Sequence, residues 1–187
     1  MKSYEFTLRF SIKECAQDVD DIIEALGEAG CNDMLIGIGQ AGRMAMMFDR
    51  DGTSAADAVG SAIRDVKAVI PDIRLLEASP DLVGLTDTAE LLGFSRQNMR
   101  KLMTSNPESF PAPVHEGKQA LWPLETLLTW LRENKQYEID DSLLELAKAN
   151  RHLNLASATR SSDPDQLKAF GRCWQVIDEL PKRGAPP

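Results

Sequence analysis

The sequence predicts a mixed α+β chain: a sheet covered on one face by two helices, then a compact helical module with a small hairpin, then closing helices. Three observations predict it. Residues 4 to 12, YEFTLRFSI, set Tyr4, Phe6, Leu8, Phe10 and Ile12 against Glu5, Thr7, Arg9 and Ser11, the period-two pattern of a strand with one buried face. Two longer stretches place apolar residues at helical spacing between shorter apolar runs. After ASPDLVG, residues 78 to 84, the pattern changes to short helical segments joined by a glycine turn.

Each element follows from its own residues. After Asp18, VDDIIEALGEAG repeats Val19, Ile22, Ile23 and Leu26 at helical spacing and stops at glycine. DMLIGIGQAGRMAMMFDR reads as two short strands around Gly39 to Gly42. SAADAVGSAIRDVKAVI turns Ala58, Ala62, Ile63, Val66, Val69 and Ile70 inward until Pro71 ends it, and DIRLLEAS is a last strand. Strand, helix, strand, strand, helix, strand is the order of a ferredoxin-like domain, expected over residues 1 to 80. GIGQAG, residues 37 to 42, matches a dinucleotide-binding glycine pattern, but that motif requires a helix next, and RMAMMFD reads as a strand. A turn is therefore expected. KECAQD after the first strand does not resemble a phosphate-cradling loop, and nothing in this domain suggests catalysis.

Composition narrows the function classes. With 43% hydrophobic and 27% charged residues the chain reads as soluble and globular. No apolar run reaches the roughly 18 residues of a membrane span, and MKSYEFTLRF lacks a signal-peptide pattern, so a cytoplasmic protein is expected. Cys15, Cys31 and Cys173 show no CxxC spacing, and His115 and His152 stand apart from them, so neither a metal nor a cofactor is expected. No paired nucleophile and base stands out, which points away from an enzyme. The net charge is -8, of which residues 1 to 80 hold -6 and residues 81 to 135 only -1.

The second module, residues 81 to 135, carries the functional signal. TDTAELLG offers Thr86 or Asp87 as a helix N-cap, with Asp87 to Glu90 at capping-box spacing, Leu85, Ala89 and Leu92 on one face, and Gly93 as the stop. Ser95 caps a second helix over 95 to 105, giving two short helices around a glycine turn, the helix-turn-helix pattern. On that helix Met99, Leu102 and Met103 fall within about 100° of arc. Arg96, Gln97, Arg100, Lys101 and Thr104 fill the opposite side. No acid lies between Gly93 and Pro107 to pair with the cations. Arg reads guanine and Gln reads adenine bidentately, and Ser95 with the helix N-terminus can meet a phosphate. FPAPVHEGKQALW, residues 110 to 122, then predicts a hairpin with Lys118 at its tip, and Pro123 at N1 opens LETLLTWLRENK.

GLTDTAELLGFSRQNMRKL, then FPAPV, LW and TWL, resembles the excisionase-like, AlpA-type branch of the MerR superfamily of winged helix-turn-helix domains, over residues 82 to 135. The resemblance implies double-stranded DNA as the partner, with the second helix in the major groove and the wing along the backbone. By position, Ser95, Arg96, Gln97, Arg100 and Lys101 take the family's DNA-contacting role, and Trp122 and Trp130 match packing positions. The inserted TSNPES before Phe110 departs from the family pattern and bears on where the wing lies.

Residues 136 to 187 read as a helical extension. DDSLLELAKAN carries a Ser142 to Glu145 capping box, and the last helix takes Asp163 as cap and Pro164 at N1. Its stripe of Leu167, Phe170, Trp174 and Ile177 reads as intramolecular core, and the tail KRGAPP as mobile. One winged helix covers too little duplex to specify a site, so a homodimer is expected, formed through the N-terminal sheet or the last helix. The acidic first domain is expected to restrain charge-driven binding to arbitrary DNA. The function expected is that of a transcriptional regulator, a repressor. Two alternatives stand beside it: an antitoxin-like or adaptor protein that binds a partner protein through its flanking segments, and a sensor binding an effector in its first domain.

Overall fold

A computed structural model describes residues 1 to 179, with side chains to residue 172. Residues 1 to 154 form one compact unit and the chain from Leu155 onward a second. The chain is mixed α/β, with seven helices and a four-stranded antiparallel sheet among the described residues.

The sheet is built from β1 (Lys2–Ser11), β2 (Met34–Gly37), β3 (Arg43–Gly52) and β4 (Arg74–Ser79), in the order β2-β3-β1-β4. Alternation along β1 sends Tyr4, Phe6, Leu8 and Phe10 inward, where Phe6 meets Phe48 opposite it in register, the rings stacked at 5.2 Å. Helices α1 (Val19–Glu28) and α2 (Ala55–Val69) supply Ile22, Leu26, Ala58, Ala62 and Val66 to that core. Asp18 caps α1 by accepting from the Asp20 and Asp21 amides at 2.9 Å. Residues 38 to 42 link β2 to β3 with Gly42 at φ +76°, and a strand follows them, as expected for a turn rather than a nucleotide loop.

Three local expectations are corrected, and one element appears that no pattern predicted. A short strand β5 (Leu82–Val83) pairs antiparallel with β6 (Trp122–Pro123), a two-stranded sheet too short for any periodicity to announce. Helix α3 (Leu85–Leu91) is capped at Gly84, ahead of Thr86 and Asp87; Asp87 sits at N3, and its carboxylate accepts from the Gly84 amide at 2.8 Å. Pro123 is the N-cap of α5 (Leu124–Lys135) instead of N1, because its residue is spent in β6. The Ser142 to Glu145 capping box does not form: Asp140 accepts from the Ser142 amide and hydroxyl, each at 2.8 Å. Glu145 is thereby free to reach the sheet.

That last helix of the compact unit, α6 (Asp141–Arg160), is longer than its pattern suggested, and it packs two cores at once. Leu146 joins the sheet's core, while Leu144 and Ala147 join a second core with Val83, Ala89, Met99, Trp122, Leu127 and Trp130. The Glu145 carboxylate accepts from the Ala55 amide at 3.0 Å, completing the N-terminus of α2, and from the Tyr4 hydroxyl at 2.9 Å. Asn154 lies along the outer edge of β4, accepting from the Ala78 amide and donating to its carbonyl, both at 2.8 Å, as a neighbouring strand's peptide would. Helix α7 (Pro164–Glu179) starts at Pro164 with Asp163 accepting from the Asp165 amide at 2.8 Å. Leu167 and Phe170 are 41% and 61% exposed, so this half of the stripe is not core. The Trp174 and Ile177 side chains and the KRGAPP tail lie outside the described residues.

Two carboxylates tie stability to pH. The backbone hydrogen bond from Ala55, then the Tyr4 hydroxyl, holds Glu145 below its ordinary range. The Arg50 guanidinium, 2.5 Å away, holds Asp33 below its own. A carboxylate depressed in the folded state contributes stability above its unfolded value, and that contribution is lost as pH falls through the folded value. Urea midpoints should therefore be flat near neutrality and fall below about pH 4. Glu145→Gln and Asp33→Asn should each start from a lower midpoint at neutral pH and show a shallower acid decline.

Candidate nucleic-acid interface

Helix α4 (Arg96–Ser105) is set by its two ends and its buried face. Before it, α3 closes with the Gly93 amide donating to Glu90 and the Phe94 amide to the Ala89 carbonyl, the paired bonds that require a left-handed residue at Gly93, where φ is +66°. Nothing lies within 4 Å of a Cβ built there, so Gly93→Ala should cost about 1 kcal/mol through backbone conformation alone. Guanidinium chloride unfolding checks this. Ser95 then caps α4, its hydroxyl oxygen accepting from the Asn98 amide at 3.1 Å. Met99 is fully buried and Leu102 and Met103 half-buried, which fixes the rotation of the helix and turns Arg96, Gln97, Arg100, Lys101 and Thr104 to solvent. At the far end Lys135 of α5 donates to Asn106 at 2.7 Å, and Asn106 donates to the Leu102 carbonyl at 2.7 Å.

The loop from Phe110 to Leu121 stands beside α4. Trp122, buried, donates from Nε1 to the Pro111 carbonyl at 2.9 Å, and Phe110 packs edge-on to Trp122 and Trp130 at 6.1 and 4.9 Å. The expected hairpin is reduced to one bridge, His115 to Leu121, because Trp122 and Pro123 pair with β5 instead. Between this loop and α4 runs a cleft of about 900 Å³ lined by Arg96, Arg100, Thr104, Lys118, Gln119 and Thr86, among others.

The cleft gathers Arg96, Arg100 and Lys118 from two segments, Lys118 lying 18 or more residues beyond the two arginines in sequence, with Glu116 as the one acid among its described lining residues. Arg96, Arg100, Lys101 and Lys118 are exposed and make no ion pair among the described residues. Ser95, Gln97 and Lys101 are exposed on α4 but do not line the cleft. Thr86 and Gln119 were missed. Gln119 reaches back so closely that a Cβ on Gly84 would lie 2.7 Å from its Nε2, a proximity that no local pattern signals. Chemically the arrangement offers guanidinium, ammonium, amide and hydroxyl donors along one concave strip, a set suited to an anionic, hydrogen-bond-rich polymer. Comparisons with protein-family models, curated proteins and solved structures find no match to this chain.

Proposed function

We propose that this chain is a sequence-specific double-stranded-DNA-binding protein, a transcriptional regulator acting as a repressor, which presents α4 to the major groove and the Lys118 loop to the adjacent backbone. The observation that carries the reading is the cleft that collects Arg96, Arg100 and Lys118, none of them in an ion pair among the described residues, in a chain of net charge -8. Two short helices about Gly93, a bridged loop after them and a packed α5 are consistent with a winged helix-turn-helix. The strand order β2-β3-β1-β4 supports the ferredoxin-like reading of the first 80 residues. A homodimer would set two such helices one turn of duplex apart. No catalytic step and no cofactor enter this reading.

Selection of bound sites from a randomised duplex library tests it. Recovery of one enriched motif, with half-sites about ten base pairs apart, is the expected result. Recovery of unselected sequence would sink base readout. A second reading has its own observation: Leu167 and Phe170 are exposed on α7, as an antitoxin-like or adaptor protein with a partner-binding flank would require. A stoichiometric partner that co-purifies with the intact chain, and is lost on Phe170→Asp, would favour it.

A further inference from the structure

We propose that the free edge of β2 joins two copies of this chain through antiparallel β2-to-β2 pairing about a two-fold axis. The inference rests on the dimeric part of the reading above and is independent of DNA.

A sheet ordered β2-β3-β1-β4 has two outer strands, β2 and β4. On β4, Asn154 takes both outward backbone groups of Ala78 and so interrupts that edge for a partner strand. Among the described residues the edge of β2 has no such cover, and its one neighbour in the sheet is β3. Exposed edges normally carry a lysine, a proline or a bulge that discourages pairing. Residues 34 to 42, MLIGIGQAG, contain neither a charge nor a proline. Leu35 and Ile38 are 72% and 56% exposed there, and Met47, opposite Leu35 in register, is 57% exposed, so the apolar strip continues onto the open face of the sheet.

The backbone sets the register. The Asp49 amide donates to the Asp33 carbonyl at 3.1 Å, so residue 33 faces β3, and alternation turns the amides and carbonyls of Met34 and Ile36 outward. A second copy placed antiparallel, with Met34 opposite Ile36 of its mate and the reverse, exchanges four hydrogen bonds using every outward group of Met34 and Ile36. Leu35 then lies opposite its own two-fold mate at a non-hydrogen-bonded site, where Cα atoms are about 4.5 Å apart and side chains touch. Odd and even residues keep their faces, so Leu35 and Met47 of both copies form one strip on the same side of an eight-stranded sheet. The segment brings no like charges together, which matters for two chains of net charge -8.

Sedimentation of the full chain over a concentration series, without DNA, tests this. The wild type should show a reversible monomer–dimer equilibrium. Leu35→Lys and Leu35→Glu, both at an exposed position, should each raise the dissociation constant at least about tenfold, since like charges then face each other across the axis. An equimolar mixture of the two should recover the dimer. A wild type monomeric up to about a millimolar, an unchanged constant in both variants, or two monomeric variants that fail to dimerise when mixed would each overturn the proposal. Because no DNA is present, these outcomes leave the DNA reading to its own experiment.

Discussion

Trp122→Ala should destabilise the protein by about 3 to 5 kcal/mol, the cost of deleting a buried aromatic side chain from a packed core. The indole is 4% exposed, lies edge-on to Phe110 and anchors the loop through Nε1 and the Pro111 carbonyl. Its loss leaves a void and an unpaired carbonyl together. Trp122→Phe keeps most of the packing and removes the hydrogen bond, so it should cost much less, about 1 to 2 kcal/mol. Urea unfolding of the two variants separates these contributions. A loss below about 1 kcal/mol for the alanine variant would show that the loop is not held by this residue.

Arg96→Ala and Arg100→Ala should each weaken binding to the selected duplex by about 1 to 3 kcal/mol, while binding to an unrelated duplex changes little. Both residues are exposed, line the cleft and make no ion pair among the described residues, so removing their guanidinium groups should leave the fold intact. Lys118→Ala should weaken both duplexes alike and reduce the salt slope of binding by about one, the behaviour of a phosphate contact. Anisotropy titrations on both duplexes at several salt concentrations give all three results. Equal losses on both duplexes for all three variants would remove base readout from the proposal and leave only charge.

Elements whose cause is local were legible in the sequence. The period of two in YEFTLRFSI, the Asp18 and Ser95 caps, the Gly93 stop and the Asp163–Pro164 start all reappear, because a residue and its immediate neighbours suffice to produce them. Where sequence reasoning missed, the controlling partner was distant. The capping box at Ser142 is not formed because Glu145 finds Ala55 and Tyr4, 90 and 141 positions away. Pro123 loses its N1 place because Leu82 and Val83 claim its strand. In the candidate site, the cationic face of α4 was readable from angular spacing. The approach of Gln119 and Thr86 was not, since it depends on how the loop after Phe110 is anchored to Trp122.

The double allegiance of α6 limits how this chain can be dissected. Leu146, Glu145 and Asn154 serve the sheet while Leu144 and Ala147 serve the module that carries α4. Excising residues 1 to 80 would bare the helix's other flank to water, and a fragment ending at Lys135 would lack one wall of its own interior. Heating the intact chain should therefore melt both parts in one transition. Whether the acidic segment tempers indiscriminate DNA adhesion is accordingly a question for neutralising substitutions on its surface, such as Glu5→Gln with Glu24→Gln, and not for truncation.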